Sequence, residues 1–183
     1  MREAIDSALT QTYDRVEVVV VDDGSTDGSV AIMQGYGSAI TVIEQENAGA
    51  AAARNSGWRA SKGEYLVFLD ADDTISEDYI TLMLEQLQAA GGDIAYCGWQ
   101  NTGLSPDRCK PFVPPDYENE PAKLERLIQN ARWPIHAALV RRELFEASVG
   151  FDTRWGTCED FALWIERAID ARLVRVKDVL AFY

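Results

Sequence analysis

Two short apolar runs in this chain stop abruptly on carboxylates, and this pairing constrains the fold more than any other feature of the sequence. The first is Val20-Val21-Asp22-Asp23-Gly24-Ser25 and the second is Phe68-Leu69-Asp70-Ala71-Asp72-Asp73. A strand that ends in two or three acids sets negative charge at one rim of a sheet. Such charge is unfavourable until a cation or a hydrogen-bonding ligand joins it. Both runs lie in a first half that alternates strand and helix patterns, which implies a parallel α/β sheet. Ligands on such sheets sit beyond the carboxyl ends of the strands, where both clusters fall.

Hydrophobic periodicity predicts the elements. Helices are expected over residues 2–10, 26–34, 48–60, 122–130 and 159–171, and a short one from residue 142. Strands are expected over residues 16–21, 39–43, 65–69, 93–98, 136–140 and 173–176. The β-branched run at 16–21 has the pattern of a strand buried on both faces. Thr74-Ile75-Ser76-Glu77 has capping-box spacing and predicts a helix running to about residue 89. Residues 99–121 carry five prolines and little periodicity, as in a long functional loop.

Composition narrows the function. At 183 residues, one domain with a full core is the natural expectation, and the net charge of −13 argues against a nucleic-acid partner. Cys97, Cys109 and Cys158 are odd in number and form no C-x-x-C pair, so a reducing compartment is expected. No apolar run approaches the roughly 20 residues needed to span a bilayer. Met1-Arg2-Glu3 leads into an amphipathic helix rather than an apolar leader. The expectation is a cytoplasmic chain, with peripheral attachment at the inner membrane face left open. The chain has neither a G-x-G-x-x-G after a strand nor a G-x-x-x-x-G-K-[ST] loop, which removes support from dinucleotide and ATPase readings.

The acidic segments admit two readings each. In an extended strand end, residues two apart point the same way, so Asp70 and Asp72 can project into one pocket. A hard divalent cation uses one or two such carboxylates and completes its shell with water and phosphate oxygens. The same acids also suit a solvated turn that caps the next helix. Asp22 and Asp23 suit an ordinary turn, or hydrogen bonds from a nucleobase or ribose. Arg54 is a lone basic group in a small, apolar stretch; it suits a phosphate or base, or a surface ion pair. Glu159 and Asp160 open a helix, where acids are favoured by the dipole; the alternative is a general base at the sheet rim. His136, the chain's single histidine, and Trp164 read as structural. Cys158 lacks an indicated histidine partner, which disfavours a cysteine nucleophile.

Order and spacing add what single motifs lack. The segments Arg2-Glu3-Ala4-Ile5-Asp6-Ser7-Ala8-Leu9, residues 19–27 (VVVDDGSTD), Asn47-Ala48-Gly49 with Arg54-Asn55, Gly63-Glu64-Tyr65, Leu69-Asp70-Ala71-Asp72-Asp73, Gly150-Phe151-Asp152 and Glu159-Asp160-Phe161-Ala162-Leu163-Trp164 together resemble the family 2 glycosyltransferases. The resemblance implies the GT-A fold, a Rossmann-like, mixed, mainly parallel sheet flanked by helices. It implies a single domain over residues 1–183, with a nucleotide-sugar-binding half at 1–98 and an acceptor and catalytic half at 99–183. By the same resemblance Asp22 or Asp23 holds the nucleobase or ribose of a sugar nucleotide, and Arg54 helps with base or phosphate. Asp70 faces the ribose, and Asp72 binds the Mn²⁺ or Mg²⁺ that bridges the diphosphate. Asp160 is the catalytic base of an inverting displacement, with Glu159 in support.

The implied partners are a nucleotide-diphosphate sugar, a UDP-sugar first, and a saccharide or lipid-linked acceptor. Residues 99–121 and 130–134, with Trp133, are candidate acceptor surfaces. Members of the family begin with one further strand and continue past a terminal strand such as residues 179–183. The expectation is therefore a fragment or reduced variant, with a gap or exposed sheet edge that a second copy can fill. A catalytically silent GT-A-like binding or assembly module, and a nucleotidyltransferase, stand as alternatives.

Overall fold

The structure is a computed structural model and describes residues 1–130 and 133–183. In chain order its first-half elements are α1 (Arg2–Leu9), β1 (Val19–Asp23), α2 (Ser29–Gln34), β2 (Thr41–Gln45), α3 (Ala50–Ala60), β3 (Tyr65–Val67), β4 (Thr74–Ile75) and α4 (Tyr79–Ala90). The second half adds β5 (Ile94–Gln100), α5 (Lys123–Asn130), β6 (Ala138–Arg141), α6 (Glu143–Glu146), α7 (Glu159–Ala168) and β7 (Leu173–Phe182).

The strands form two sheets. β1 and β2 pair in parallel, and a five-stranded sheet runs β3-β6-β5-β7-β4. The sheet system is mixed, as the resemblance implies, and its two longest ladders, β1–β2 and β5–β7, are parallel. Three of the five ladders among the described residues are antiparallel: β3–β6, β5–β6 and β4–β7. The reason is that β6 inserts between β3 and β5 and runs against both, a placement that strand–helix alternation in the first half does not encode. The larger sheet draws strands from both halves of the chain.

Burial decides where each element lies. Central β5 is apolar on both faces, and Ile94, Ala95, Tyr96 and Cys97 are fully buried. On α4, Tyr79, Met83, Leu84 and Leu87 recur at helical spacing and pack against this sheet. Phe68, Phe145 and Phe151 extend the same core, with ring centroids 4.9–5.7 Å apart. A second, smaller core of Ile5, Met33 and Ile40 joins α1 and α2 to the two-stranded sheet. β1 is half-buried rather than enclosed on both faces, because among the described residues it has a strand neighbour on one side only.

Two expected elements give way to tertiary contacts. Thr74 and Ile75 form β4 instead of opening a helix, because buried Ile75 pairs with Ala181 on β7. α4 starts four residues later than the end of that strand implies for a capping box, behind Asp78. The proline-rich stretch is not an open excursion. Phe112 bridges to Trp99 on β5, the Tyr96 hydroxyl donates to the Pro115 carbonyl at 2.8 Å, and Tyr117 is fully buried. Trp133, expected on an acceptor surface, instead stacks on Tyr96 at 4.7 Å and is buried. Two members of that candidate surface, Ala131 and Arg132, lie outside the described residues.

One contact ties the two halves together. Asn55 on α3 is buried and acts as a strand neighbour to Phe151. Its amide nitrogen donates to the Phe151 carbonyl at 2.7 Å, and its oxygen accepts the Phe151 amide at 2.9 Å. Gly150 makes this possible. Its φ is +80°, and a Cβ there would stand 2.3 Å from the Asn55 oxygen. Gly150→Ala is therefore expected to cost about 2–4 kcal/mol, combining backbone strain with a broken buried pair. Urea denaturation checks this, and an unchanged midpoint would refute the account.

Candidate functional site

The first acidic cluster is a joint between two loops. Asp23 lies at the end of β1, and its carboxylate accepts the Gln45 side-chain amide at 2.7 Å and the Ala48 and Gly49 amides at 2.9 and 2.8 Å. Burial pushes the Asp23 carboxyl up, but these hydrogen bonds outweigh it and hold its pKa below the ordinary value. Gly24 completes the joint. Its φ is +79°, and a Cβ would meet the Asn47 amide nitrogen at 2.9 Å, so the Asp-Asp-Gly turn and the Asn-Ala-Gly loop require each other. Asp22 is buried, and its carboxylate accepts only the Ser25 amide, at 3.3 Å, among the described residues. Of the two acids, Asp22 therefore retains hydrogen-bonding capacity for a ligand, while Asp23 holds the loop.

The second cluster is a turn, not a strand end. β3 stops at Val67, and the Asp73 amide donates to the Asp70 carbonyl at 3.2 Å. The three acids consequently take different surroundings rather than the shared direction that extended spacing implies. Asp70 meets Arg54 through both oxygens, at 2.7 and 2.9 Å. Asp72 is exposed and makes no hydrogen bond or ion pair among the described residues. Asp73 is buried beside His136.

Arg54 is not a surface residue. Its side chain is 12% exposed, and it links Asp70 to Glu159 on α7, where the contact is 2.5 Å. Its guanidinium also lies over the Phe151 ring, 5.6 Å from the centroid. Burial lowers the Arg54 pKa, but Asp70 and Glu159 outweigh it and raise it, so the group is a fixed cation. Both terminal nitrogens are thus engaged by acids; the structure places Arg54 inside the site as a clamp.

α7 brings the remaining acids. Cys158 precedes it with φ +62°, a left-handed turn unusual for a residue with a side chain, and Glu159 and Asp160 follow in the first turn. Asp160 accepts the Phe161 amide at 2.8 Å. Burial raises the Asp160 pKa, the Phe161 hydrogen bond and Arg54 oppose this, and neighbouring Glu159 adds to it. The single histidine is taken up with Asp73, which leaves Cys158 without a base, as the sequence implies.

Tyr183 is the residue that sequence reasoning missed. It follows β7, and its ring packs edge-on against His136 at 4.9 Å and against Trp99 at 5.6 Å. Burial, then Asp73, Asp160, Asp70 and Asp72, push its hydroxyl up to about 12. The phenol therefore stays protonated, and these four acids are the charged groups that act on it. No sequence motif marks Tyr183; only the ten-residue length of β7, read as two short strands, would have carried it there.

Among the described residues no three His, Cys, Asp or Glu side chains form a ready-made cation cage. The donor set nevertheless fits a hard cation that arrives with its ligand. Asp72 offers a free, exposed carboxylate, and a divalent ion of the Mg²⁺ type takes one or two carboxylates with substrate phosphates.

A mixed α/β fold that brings the end of β1, the Asp70–Asp73 turn and the start of α7 together about a clamped arginine is a GT-A fold with a candidate nucleotide-sugar site. The model of Glycosyl transferase family 2 matches residues 1–149, and the chain belongs to that family. EpsJ of Bacillus subtilis, described as an uncharacterized glycosyltransferase, is 34% identical over 97% of this chain and 55% of its own length. GlyA of Streptococcus pneumoniae, a glycosyltransferase, is 44% identical over 52% of this chain and 14% of its own length. Among solved structures, S. aureus TarS 1-349 in complex with UDP superimposes with a TM-score of 0.80 at 22% identity, covering 99% of this chain and 55% of TarS 1-349. The mannosyltransferase PcManGT from Pyrobaculum calidifontis, in complex with GDP-Man and Mn²⁺, has a TM-score of 0.71 at 23% identity, covering 99% and 52%. The chain thus spans about half the length of EpsJ and of these two solved chains.

Arg54→Ala would leave Glu159 and Asp70 without their cation, and is expected to cost about 3–5 kcal/mol. Arg54→Lys, which cannot make the forked contact, should recover only part of that. Urea titrations of the three proteins check the order; equal stability of parent and Arg54→Ala would show the clamp to be dispensable.

Proposed function

We propose that this chain forms the donor-binding and catalytic core of an inverting, metal-dependent glycosyltransferase. The reaction moves a sugar from a nucleotide-diphosphate sugar to a hydroxyl of a saccharide or lipid-linked acceptor. The observation that carries this reading is the tie that Arg54 makes from Asp70 to Glu159, the residue beside Asp160, with Asp72 left without a protein partner among the described residues in the same turn as Asp70. Family membership supports glycosyl transfer. TarS in complex with UDP and with UDP-GlcNAc, and PcManGT with GDP-Man and Mn²⁺, support a nucleotide-sugar donor, a UDP-sugar first.

The residues divide the work. Asp22 accepts hydrogen bonds from the nucleoside, and Asp23 holds the loop beside it. Asp70, oriented by Arg54, faces the ribose. Asp72 holds the Mn²⁺ or Mg²⁺, which when bound compensates the charge of the diphosphate leaving group. Asp160 takes the proton of the acceptor hydroxyl as that oxygen bonds to the anomeric carbon. The bond from that carbon to the diphosphate breaks, and the nucleoside diphosphate leaves with the electron pair. Attack from the face opposite the leaving group inverts the anomeric configuration.

Calorimetric titration of UDP and GDP with and without Mn²⁺ tests the donor site. Binding of one of them is expected to weaken by about tenfold or more without the cation, since the free carboxylates then face an uncompensated diphosphate. Absence of metal-dependent binding to both would sink the reading.

Asp160→Asn separates binding from chemistry. Donor affinity should stay close to the parent's, while transfer falls by about 10²–10⁴-fold, the usual worth of a general base. Because burial raises the Asp160 pKa, transfer should fall on acidification at a higher pH than an ordinary carboxylate would give. The linked effect on stability has the opposite sense. Ionised Asp160 destabilises the fold above its raised pKa, and that cost vanishes as pH drops through it. Asp160→Asn is therefore expected to melt no lower than the parent at neutral pH. Parental transfer rates in the variant would remove Asp160 from the role of base.

A further inference from the structure

His136 belongs to no motif of the site, yet it is fully buried next to it. It lies in the 3-10 turn Ile135–Ala137 that leads into β6. Its Nδ1 is 3.0 Å from Asp73 Oδ2, a close polar contact that falls outside hydrogen-bond geometry. Its Nε2 has no hydrogen-bond partner among the described residues. Asp73 is itself buried.

An aspartate in such surroundings stays inside only with a partner; without one it turns outward to water. Asp73 cannot do so alone, because its amide closes the turn on the Asp70 carbonyl at 3.2 Å. Whatever holds the Asp73 side chain in therefore also shapes the backbone that presents Asp70 to Arg54 and leaves Asp72 open. Tyr183 packs edge-on against the same imidazole, 4.9 Å away, so the histidine is held between the turn and the residue that faces the acids.

We infer that His136 is a positioning residue of the donor site: it anchors Asp73 beneath the Asp70–Asp73 turn and so sets Asp72 toward the diphosphate. The inference rests on the reading of Asp72 as the residue that meets cation and diphosphate. It differs from a merely structural role in where the effect of losing the imidazole should appear. A core histidine would weaken the whole fold; an anchor should loosen one turn.

Two variants and two readouts decide it. His136→Leu removes the polar contact at similar bulk, and His136→Asn returns an N–H near the position of Nδ1. In amide hydrogen exchange, His136→Leu should speed exchange at residues 70–74 by tenfold or more, with α4 and β5 at parental rates. His136→Asn should restore most of the protection. In calorimetry with UDP, His136→Leu should lose about tenfold in affinity with Mn²⁺ present and less than about twofold without it, and His136→Asn should recover the loss. Parental exchange at the turn in His136→Leu, or faster exchange spread evenly over the chain, would overturn the anchor. Should His136→Leu fail to fold, Asp73→Asn, which keeps the shape of the side chain, carries the same two readouts. If the parent binds neither UDP nor GDP with Mn²⁺, the donor reading falls by itself, and the exchange experiment still decides whether His136 pins the turn.

Discussion

The buried fork between Arg54, Asp70 and Glu159 is the interaction on which the rest of the site depends. It joins three pieces of chain that share no local order: α3, the turn after β3, and the first turn of α7. Removing the Arg54 guanidinium and the Glu159 carboxylate from water is expensive, and a well-packed apolar pair would fold at least as well, while Asp70 keeps 41% of its side chain in solvent. What the fork adds is direction. A forked cation accepts its acids in one plane, which fixes the angle at which α7 meets the sheet and hence where Asp160 emerges. The Asn55–Phe151 pair one residue further along α3 locks the same approach from the other side.

The helix that carries Arg54 is itself positioned by the first acidic cluster. Asp23 draws in the Ala48 and Gly49 amides just before α3 begins, and Gly24 leaves room for Asn47 to come close. The two acidic segments are therefore mechanically connected. The first sets the start of α3, α3 carries Arg54, and Arg54 orients the second. One consequence is that Asp23 is taken up by the loop it holds, while Asp22 beside it accepts only the Ser25 amide among the described residues. Adjacent residues of one strand point to opposite faces, so this division follows from the pleat.

The fold class was legible because it rests on local patterns: apolar runs, helical periodicity and acids at run ends. β5, α4 and the α7 acids lie within a few residues of where those patterns put them. The antiparallel β6, the short β4 and the pinned proline-rich stretch were not legible, because each is decided by a distant partner: β3 and β5, Ala181, and Tyr96. The site shows the same split. The order of Asp22, Arg54, Asp70, Asp72 and Asp160 singled out candidates, of which Arg54 and Asp70 meet in the structure. The surroundings of each could not be read, since Asp23 with three hydrogen bonds and Asp22 with one look alike in sequence. Tyr183 and His136 gave no signal at all, because their importance lies in which side chains surround them.

Electrostatics then explains why such a site is built to receive something. Asp70, Asp72, Asp73, Asp160 and Glu159 crowd one region of a chain whose net charge is already −13. Arg54 is spent on two of them and His136 lies against a third, which leaves Asp72 and Asp160 without an ion-pair partner among the described residues. Burial, with Glu159 beside it, raises Asp160 against the Phe161 hydrogen bond and Arg54, a sign that its ionised form is held at a cost in free energy. A ligand that brings positive charge to Asp72 relieves part of that cost, and by linkage whatever binds the folded chain in this way stabilises it. In the proposed reaction the acid that takes the proton, Asp160, has a pKa raised chiefly by burial, while the acid proposed to hold the cation, Asp72, is free of protein partners among the described residues. The difference between them comes from where the turn and α7 place two otherwise identical side chains.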